Sequence, residues 1–208
     1  MFKDREDAAR QLAMLLEKYR DNEDVVVFAI PRGGVVIGRV IADYLNVPLD
    51  ITVAKKIGAP FNEELAIGAV GPTGNPIIDE RTVNILHIDE GYMERAIRKK
   101  VDEIRARLEK YRGNAYYRSL LGKKAILVDD GIATGYTVRA AIAFLKDLKA
   151  GKIILATPVI APDTWAELKP QVDEVVYLSS EEPFYAVGQF YEEFGQVTDE
   201  EVIKLLNS

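Results

Sequence analysis

The chain reads as an α/β protein: a doubly wound, mostly parallel sheet flanked by helices, with an inserted hairpin. Three observations predict this. Short apolar runs rich in branched residues alternate with amphipathic stretches of helix length. Turn-forming residues follow several of those runs on their carboxyl side, where open parallel sheets collect ligands. One run, Ala125 to Val128, ends in two adjacent carboxylates and a Gly/Thr turn before a helix-favouring stretch.

The elements follow in order. Residues 4 to 19 predict a helix with Leu12, Leu15, Leu16 and Tyr19 on one side. Val25 to Ile30 is a buried-strand run, and Val35 to Leu45 is the helix after it. Asn46-Val47-Pro48 is turn chemistry, because a proline pushes the residue before it out of helix. Leu49 to Ala54 is a second strand. Residues 55 to 88 are irregular, with short strands at 66 to 70 and 76 to 79 around Gly71-Pro72-Thr73-Gly74-Asn75-Pro76, hence an antiparallel hairpin. A charged helix spans about 90 to 112. The helix after the carboxylate pair covers 135 to 148, and a strand at 152 to 159, a helix near 163 to 169 and a strand at 174 to 178 complete the alternation. Thr198-Asp199-Glu200-Glu201 opens a terminal helix as a capping box.

Composition bounds the function. At 208 residues the chain is expected to form one domain, its core at about 20 to 180. With 48% hydrophobic and 29% charged residues it is neither disordered nor a membrane protein, and its apolar runs, such as Ile153 to Ala156, are too short to span a bilayer. Charges throughout residues 1 to 20 argue against a secretory signal, so a cytoplasmic location is expected. Zero cysteines exclude disulfides, thiolate metal sites and a Cys nucleophile. A net charge of -6 gives no footprint for nucleic acid. The helix at 90 to 112 is basic in places, but Met93, Ile97, Val101, Ile104, Leu108 and Tyr111 mark an apolar face that packs on the core or on a second subunit, so a homodimer is one expectation. His87, the one histidine, reads as structural.

The carboxylate turn carries the chemistry. Gly131 and Gly135 let backbone amides approach a phosphate, and a helix starting near Gly135 would aim its free amides and positive dipole end at it. Thr134 and Thr137 add hydroxyl donors. Asp129 and Asp130 would bind sugar hydroxyls directly or through a hydrated magnesium ion. A second anion turn, Ile30-Pro31-Arg32-Gly33-Gly34, follows the first strand, and Arg32 supplies bidentate phosphate recognition. Lys55 and Lys56 follow the second strand ahead of Gly, Pro and Asn residues suited to a mobile cover. Which lysine acts is left open.

Residues 125 to 137 resemble the phosphoribosyl-pyrophosphate (PRPP) signature of type I phosphoribosyltransferases: four apolar residues, an acidic pair and a Thr/Gly loop. Gly131 departs from it, since many members carry a larger aliphatic residue there, and the turn is expected to loosen. The resemblance implies that Gly131, Ile132, Ala133, Thr134, Gly135, Tyr136 and Thr137 anchor the 5-phosphate. It makes Pro31, Arg32, Gly33 and Gly34 the pyrophosphate loop, and assigns magnesium to Asp129 and Asp130, through water. Catalysis would rest on Asp129, Asp130, Arg32, Lys55 and Lys56. It further implies a small hood, here expected within 180 to 208, where Phe184 and Tyr185 would stack on an acceptor, frequently a nucleobase. The implied activity is transfer of the 5-phosphoribosyl group from PRPP with release of pyrophosphate. The alternative is a non-catalytic PRPP or nucleotide sensor on the same fold.

Overall fold

The computed structural model describes residues 1–208. A parallel sheet of five strands, in the order β2-β1-β6-β7-β8, forms the centre: β1 (Val25–Ala29), β2 (Leu49–Ile51), β6 (Lys124–Val128), β7 (Lys152–Val159) and β8 (Glu174–Ser179). Its two faces can be read from strand parity, because successive side chains point to opposite sides. Val25, Val27, Ala29, Ile126, Val128, Ile154 and Ala156 enter one apolar core, shared with helices α1 (Arg5–Leu15), α2 (Gly33–Leu45), α4 (Glu90–Arg112) and α7 (Asp199–Leu206). Phe28, Ala125, Leu127, Ile153 and Leu155 enter the other, covered by α5 (Tyr136–Asp147) and α6 (Pro162–Leu168). Burial on both faces explains why these strands read as continuous apolar runs.

Chain order around the sheet sets the site. From β1 the chain steps outward to β2, whereas from β6 it steps the opposite way to β7 and β8. β1 and β6 are neighbours, with Ala29 opposite Val128, so the crevice beyond their carboxyl ends is the topological switch point. Both turns singled out in the sequence emerge there.

The inserted region differs from expectation. Residues 55 to 64 are not an irregular cover: β3 (Lys55–Ala59) pairs antiparallel with β4 (Asn62–Val70), which pairs with β5 (Pro76–Ile78), giving a separate three-stranded sheet. The 66 to 70 and 76 to 79 hairpin is present, but β4 is longer and β2 stops at Ile51. A short helix, α3 (Glu80–Ile85), leads towards α4 through His87, an exposed residue in the left-handed region at φ 49°. Leu15, placed on the buried side of the first helix, is 52% exposed; that helix ends there and the chain continues as a 3-10 turn at Glu17–Tyr19.

Candidate active site

The first turn of α5 is shaped by three local constraints. Ile132 is tied to the end of β7, its N–H donating to Val159 O at 2.9 Å and its carbonyl accepting from Ala161 N at 2.9 Å. Thr164 holds Ala133 through a hydrogen bond from its hydroxyl to the carbonyl. Gly135 takes φ 70°, a conformation glycine adopts at little cost, and turns the chain into α5. Helix geometry then leaves the N–H groups of Tyr136, Thr137 and Val138 without intrahelical acceptors at the mouth of the crevice. The Tyr136 hydroxyl donates to Asp79 Oδ2 at 3.4 Å, linking this helix to the end of β5.

Gly131 sits in a packed turn. A Cβ built there would lie 2.2 Å from Val187 Cγ1 and 2.8 Å from Val159 Cγ2, so Val187 already fills the space of a larger residue. This gives the departure from the signature a packing reason.

The two turns meet across the crevice. A Cβ on Gly33 would fall 1.8 Å from Asp130 Oδ2, and one on Gly34 would fall 3.1 Å from both Asp129 Cα and Val128 O. Backbone and carboxylates are therefore in direct contact, and any side chain at 33 would displace the acid. The Pro31–Arg32 peptide bond is cis. Arg32 immediately precedes the first turn of α2 and points its guanidinium towards Asp199 Oδ1, 3.7 Å away. Asp199 also accepts from Lys110 at 2.6 Å and from the Tyr111 hydroxyl at 2.5 Å, and these bonds hold its carboxyl down to about 2. Desolvation, then the bond to Asp199, pushes Tyr111 up to about 12.

Two residues in this site escaped the sequence reading. Arg5 opens α1, whose N-terminus is set by the Asp4 side chain accepting from Asp7 N at 2.8 Å. Its Nε donates to Asp130 Oδ2 at 2.7 Å, its Nη1 donates to Gly195 O at 2.8 Å, and its guanidinium lies 3.9 Å from the Phe194 ring centroid. Tyr191 donates its hydroxyl to the Asp130 carbonyl at 2.6 Å. Enclosure in protein, then the neighbouring Asp130 charge, raises the Asp129 carboxyl well above the usual carboxylate range, and its Oδ1 accepts from Asp130 N at 2.9 Å. No sequence spacing signals Arg5 or Tyr191, which reach the acid from 125 and 61 residues away.

A roof over this region comes from both ends of the chain. Phe2 N donates to Phe190 O and Glu192 N to Phe2 O, and Phe2, Phe190, Tyr191 and Val159 share a small apolar cluster. Phe184 packs into it, 5.0 Å from the Phe190 ring, whereas Tyr185 is 84% exposed. Phe184 is half-buried, with one side on this cluster while it also lines a cavity with Ala161, Pro162 and Asp163. The lysines lie in β3: Lys55 pairs with Glu103 on α4 at 3.2 Å, and Lys56 lines a different cavity that contains no signature residue.

Switch-point position, two helix starts, an acid pair and an arginine turn define a class: doubly wound α/β proteins with a polar crevice at the strand ends, where open parallel sheets collect ligands. Residues 1–192 match the phosphoribosyl transferase domain family, and the chain belongs to it. It is 40% identical over 207 residues to the Mycobacterium tuberculosis H37Rv protein named "Putative phosphoribosyl transferase Rv0571c", covering all of this chain but 46% of that one. The chain thus spans about half the length of the curated relatives it matches. Among solved structures it resembles TT1426 from Thermus thermophilus, with 37% identity, a TM-score of 0.82 and coverage of 99% of this chain and 97% of that one. AQ2163 from Aquifex aeolicus shares the fold at 13% identity, with a TM-score of 0.52 over 85% of this chain and 74% of that one.

Proposed function

We propose that the chain transfers the 5-phosphoribosyl group from PRPP to an acceptor, of nucleobase class, and releases pyrophosphate. The observation that carries this is the contact between Gly33 and the Asp130 carboxylate, which makes one crevice of an arginine turn and an acid-bearing phosphate loop. The amides of residues 136 to 138 with Thr134 and Thr137 anchor the 5-phosphate, whose binding orients the reacting carbon. Asp129 and Asp130 take the ribose hydroxyls, and Arg32 stabilises charge gathering on the leaving pyrophosphate. Positive charge developing on the ribose is met by Asp130, as in other glycosyl transfers.

The donor set fits magnesium: two carboxylates at one crevice, with oxygen ligands completed by substrate phosphates and water, match the way this ion is held. Asp129 and Asp130 would hold it, and bound there it would neutralise charge on the pyrophosphate. Asp130 must first give up its bond to Arg5, with which it is paired.

That pairing also favours a second reading, a PRPP or nucleotide sensor in which Arg5 keeps Asp130 out of chemistry. Calorimetry with PRPP, with and without magnesium, followed by pyrophosphate release with pooled nucleobases, separates the two. Magnesium-dependent binding with base-dependent release is expected. Binding without release supports the sensor, and no binding overturns both.

A further inference from the structure

A second cationic cavity, of about 240 Å³, lies between the β3–β4 hairpin and α4. Arg95 and Lys99 line it from the helix at the four-residue spacing that shares a face, and Lys100 lines it beside them. Lys56 lines it from the hairpin, and Glu63 is its one carboxylate. Four cations against one acid is the reverse of a chain whose net charge is -6. Only Lys100 has a carboxylate within ion-pair distance, Glu103 at 3.4 Å, which Lys55 shares; Lys56, Arg95 and Lys99 have none. Unrelieved, such like charges repel and focus a positive potential into the cavity.

The wall is specifically built. β3 is bulged at Ile57/Gly58 and Gly58/Ala59, and a Cβ on Gly58 would lie 2.5 Å from Glu63 O, so only glycine permits that close turn. Tyr92, another lining residue, donates its hydroxyl to Gly58 O at 2.7 Å and holds the bulge against α4. Cations on both walls would share one anion, and sharing it would draw the hairpin onto the helix.

We propose that this cavity binds a multiply charged phosphate group, a free polyphosphate or the polyphosphate arm of a nucleotide, separately from the crevice at the switch point. Occupancy clamps the β3–β4 hairpin on α4. The proposal does not depend on the transferase reading.

The test is hydrogen exchange and calorimetry on the whole chain with tripolyphosphate and, in parallel, ATP. Tripolyphosphate is expected to slow amide exchange in residues 55 to 64 at least threefold. That protection should survive Arg32→Ala, which disables the other anion turn. It should disappear in Arg95→Ala/Lys99→Ala, with affinity at least tenfold weaker. Arg95→Gln/Lys99→Gln repeats the test if the Ala pair loosens the helix. Equal affinities for tripolyphosphate and ATP mark the phosphates as the recognised group; tighter ATP binding, lost with the same pair, marks the nucleotide. Absence of protection in the unaltered chain, its loss in Arg32→Ala, or its persistence in the paired variants overturns the proposal.

Discussion

Gly33→Ala adds one methyl group where the two turns touch, and two opposite effects compete. Gly33 is the first residue of α2 with no left-handed φ, so alanine is favoured there by about 0.5–1 kcal/mol on backbone grounds. Against this, the new Cβ falls 1.8 Å from Asp130 Oδ2, 2.6 Å from its Cγ and 2.8 Å from Arg5 Nε. The carboxylate must leave, and with it the 2.7 Å bond to Arg5, formed between side chains 12% and 15% exposed. A hydrogen bond to a charged group contributes about 1.5–3 kcal/mol, and overpacking costs about 1–3 kcal/mol. Since the departing carboxylate relieves the overpacking, the lost bond is the cost that remains, and set against the backbone gain it leaves the variant about 1–2 kcal/mol less stable, with Tm lower by about 2–4 °C for each kcal/mol. Urea unfolding of Gly33→Ala in the wild-type and Asp130→Ala backgrounds completes a double-mutant cycle. Without the Asp130 carboxylate only the side chain of Arg5, released from its partner, stands near the methyl, and most of the cost should vanish. A coupling of about 2 kcal/mol is expected. Additivity within about 0.5 kcal/mol would refute the contact.

Gly131→Val should cost about 1–3 kcal/mol through collision with Val187, and Val187→Ala should recover most of it; urea midpoints of the two singles and the double check this. Asp199 has a depressed folded value, so its stabilising contribution is present above its unfolded value near 3.8 and lost as pH falls through about 2. Asp199→Asn should therefore flatten the acid-side decline in stability between those limits, measured as urea midpoint against pH. Asp130→Asn removes charge at nearly constant volume. It should lower phosphoribosyl turnover by about 10²-fold or more while leaving the circular dichroism spectrum unchanged. Undiminished turnover would remove Asp130 from the chemistry.

Much of the fold was legible because burial on both sheet faces writes itself into sequence as unbroken apolar runs, as at Ala125 to Val128 and Ile153 to Ala156. The 90 to 112 helix was legible from its apolar stripe, of which Ile104, Leu108 and Tyr111 are buried. β3 was not, because Lys55-Lys56-Ile57-Gly58-Ala59 has little strand propensity and owes its conformation to pairing with β4. At the site, the residues of the two turns were legible because each backbone demand is local. What holds the acid was illegible: a guanidinium and a phenol delivered by distant segments leave no periodicity. The packing of Phe184 was illegible for a related reason, since sequence does not tell an aromatic that closes an apolar cluster from one that faces a cavity, and this one does both.

The interlaced chain ends give the crevice a particular place in the order of folding. Arg5 and the Gly195 carbonyl it binds are 190 residues apart, whereas the turns beneath them form from neighbours in sequence. Arg5 reaches Asp130 over 125 residues, a longer span than the one between the paired strands β1 and β6, so loop-closure entropy favours forming the sheet and both turns before Asp130 acquires its partner. On this topology the acid pair is expected to be in place before its cover closes. Partial opening of the native state should run this in reverse, baring the acid pair long before the strands that carry it come apart.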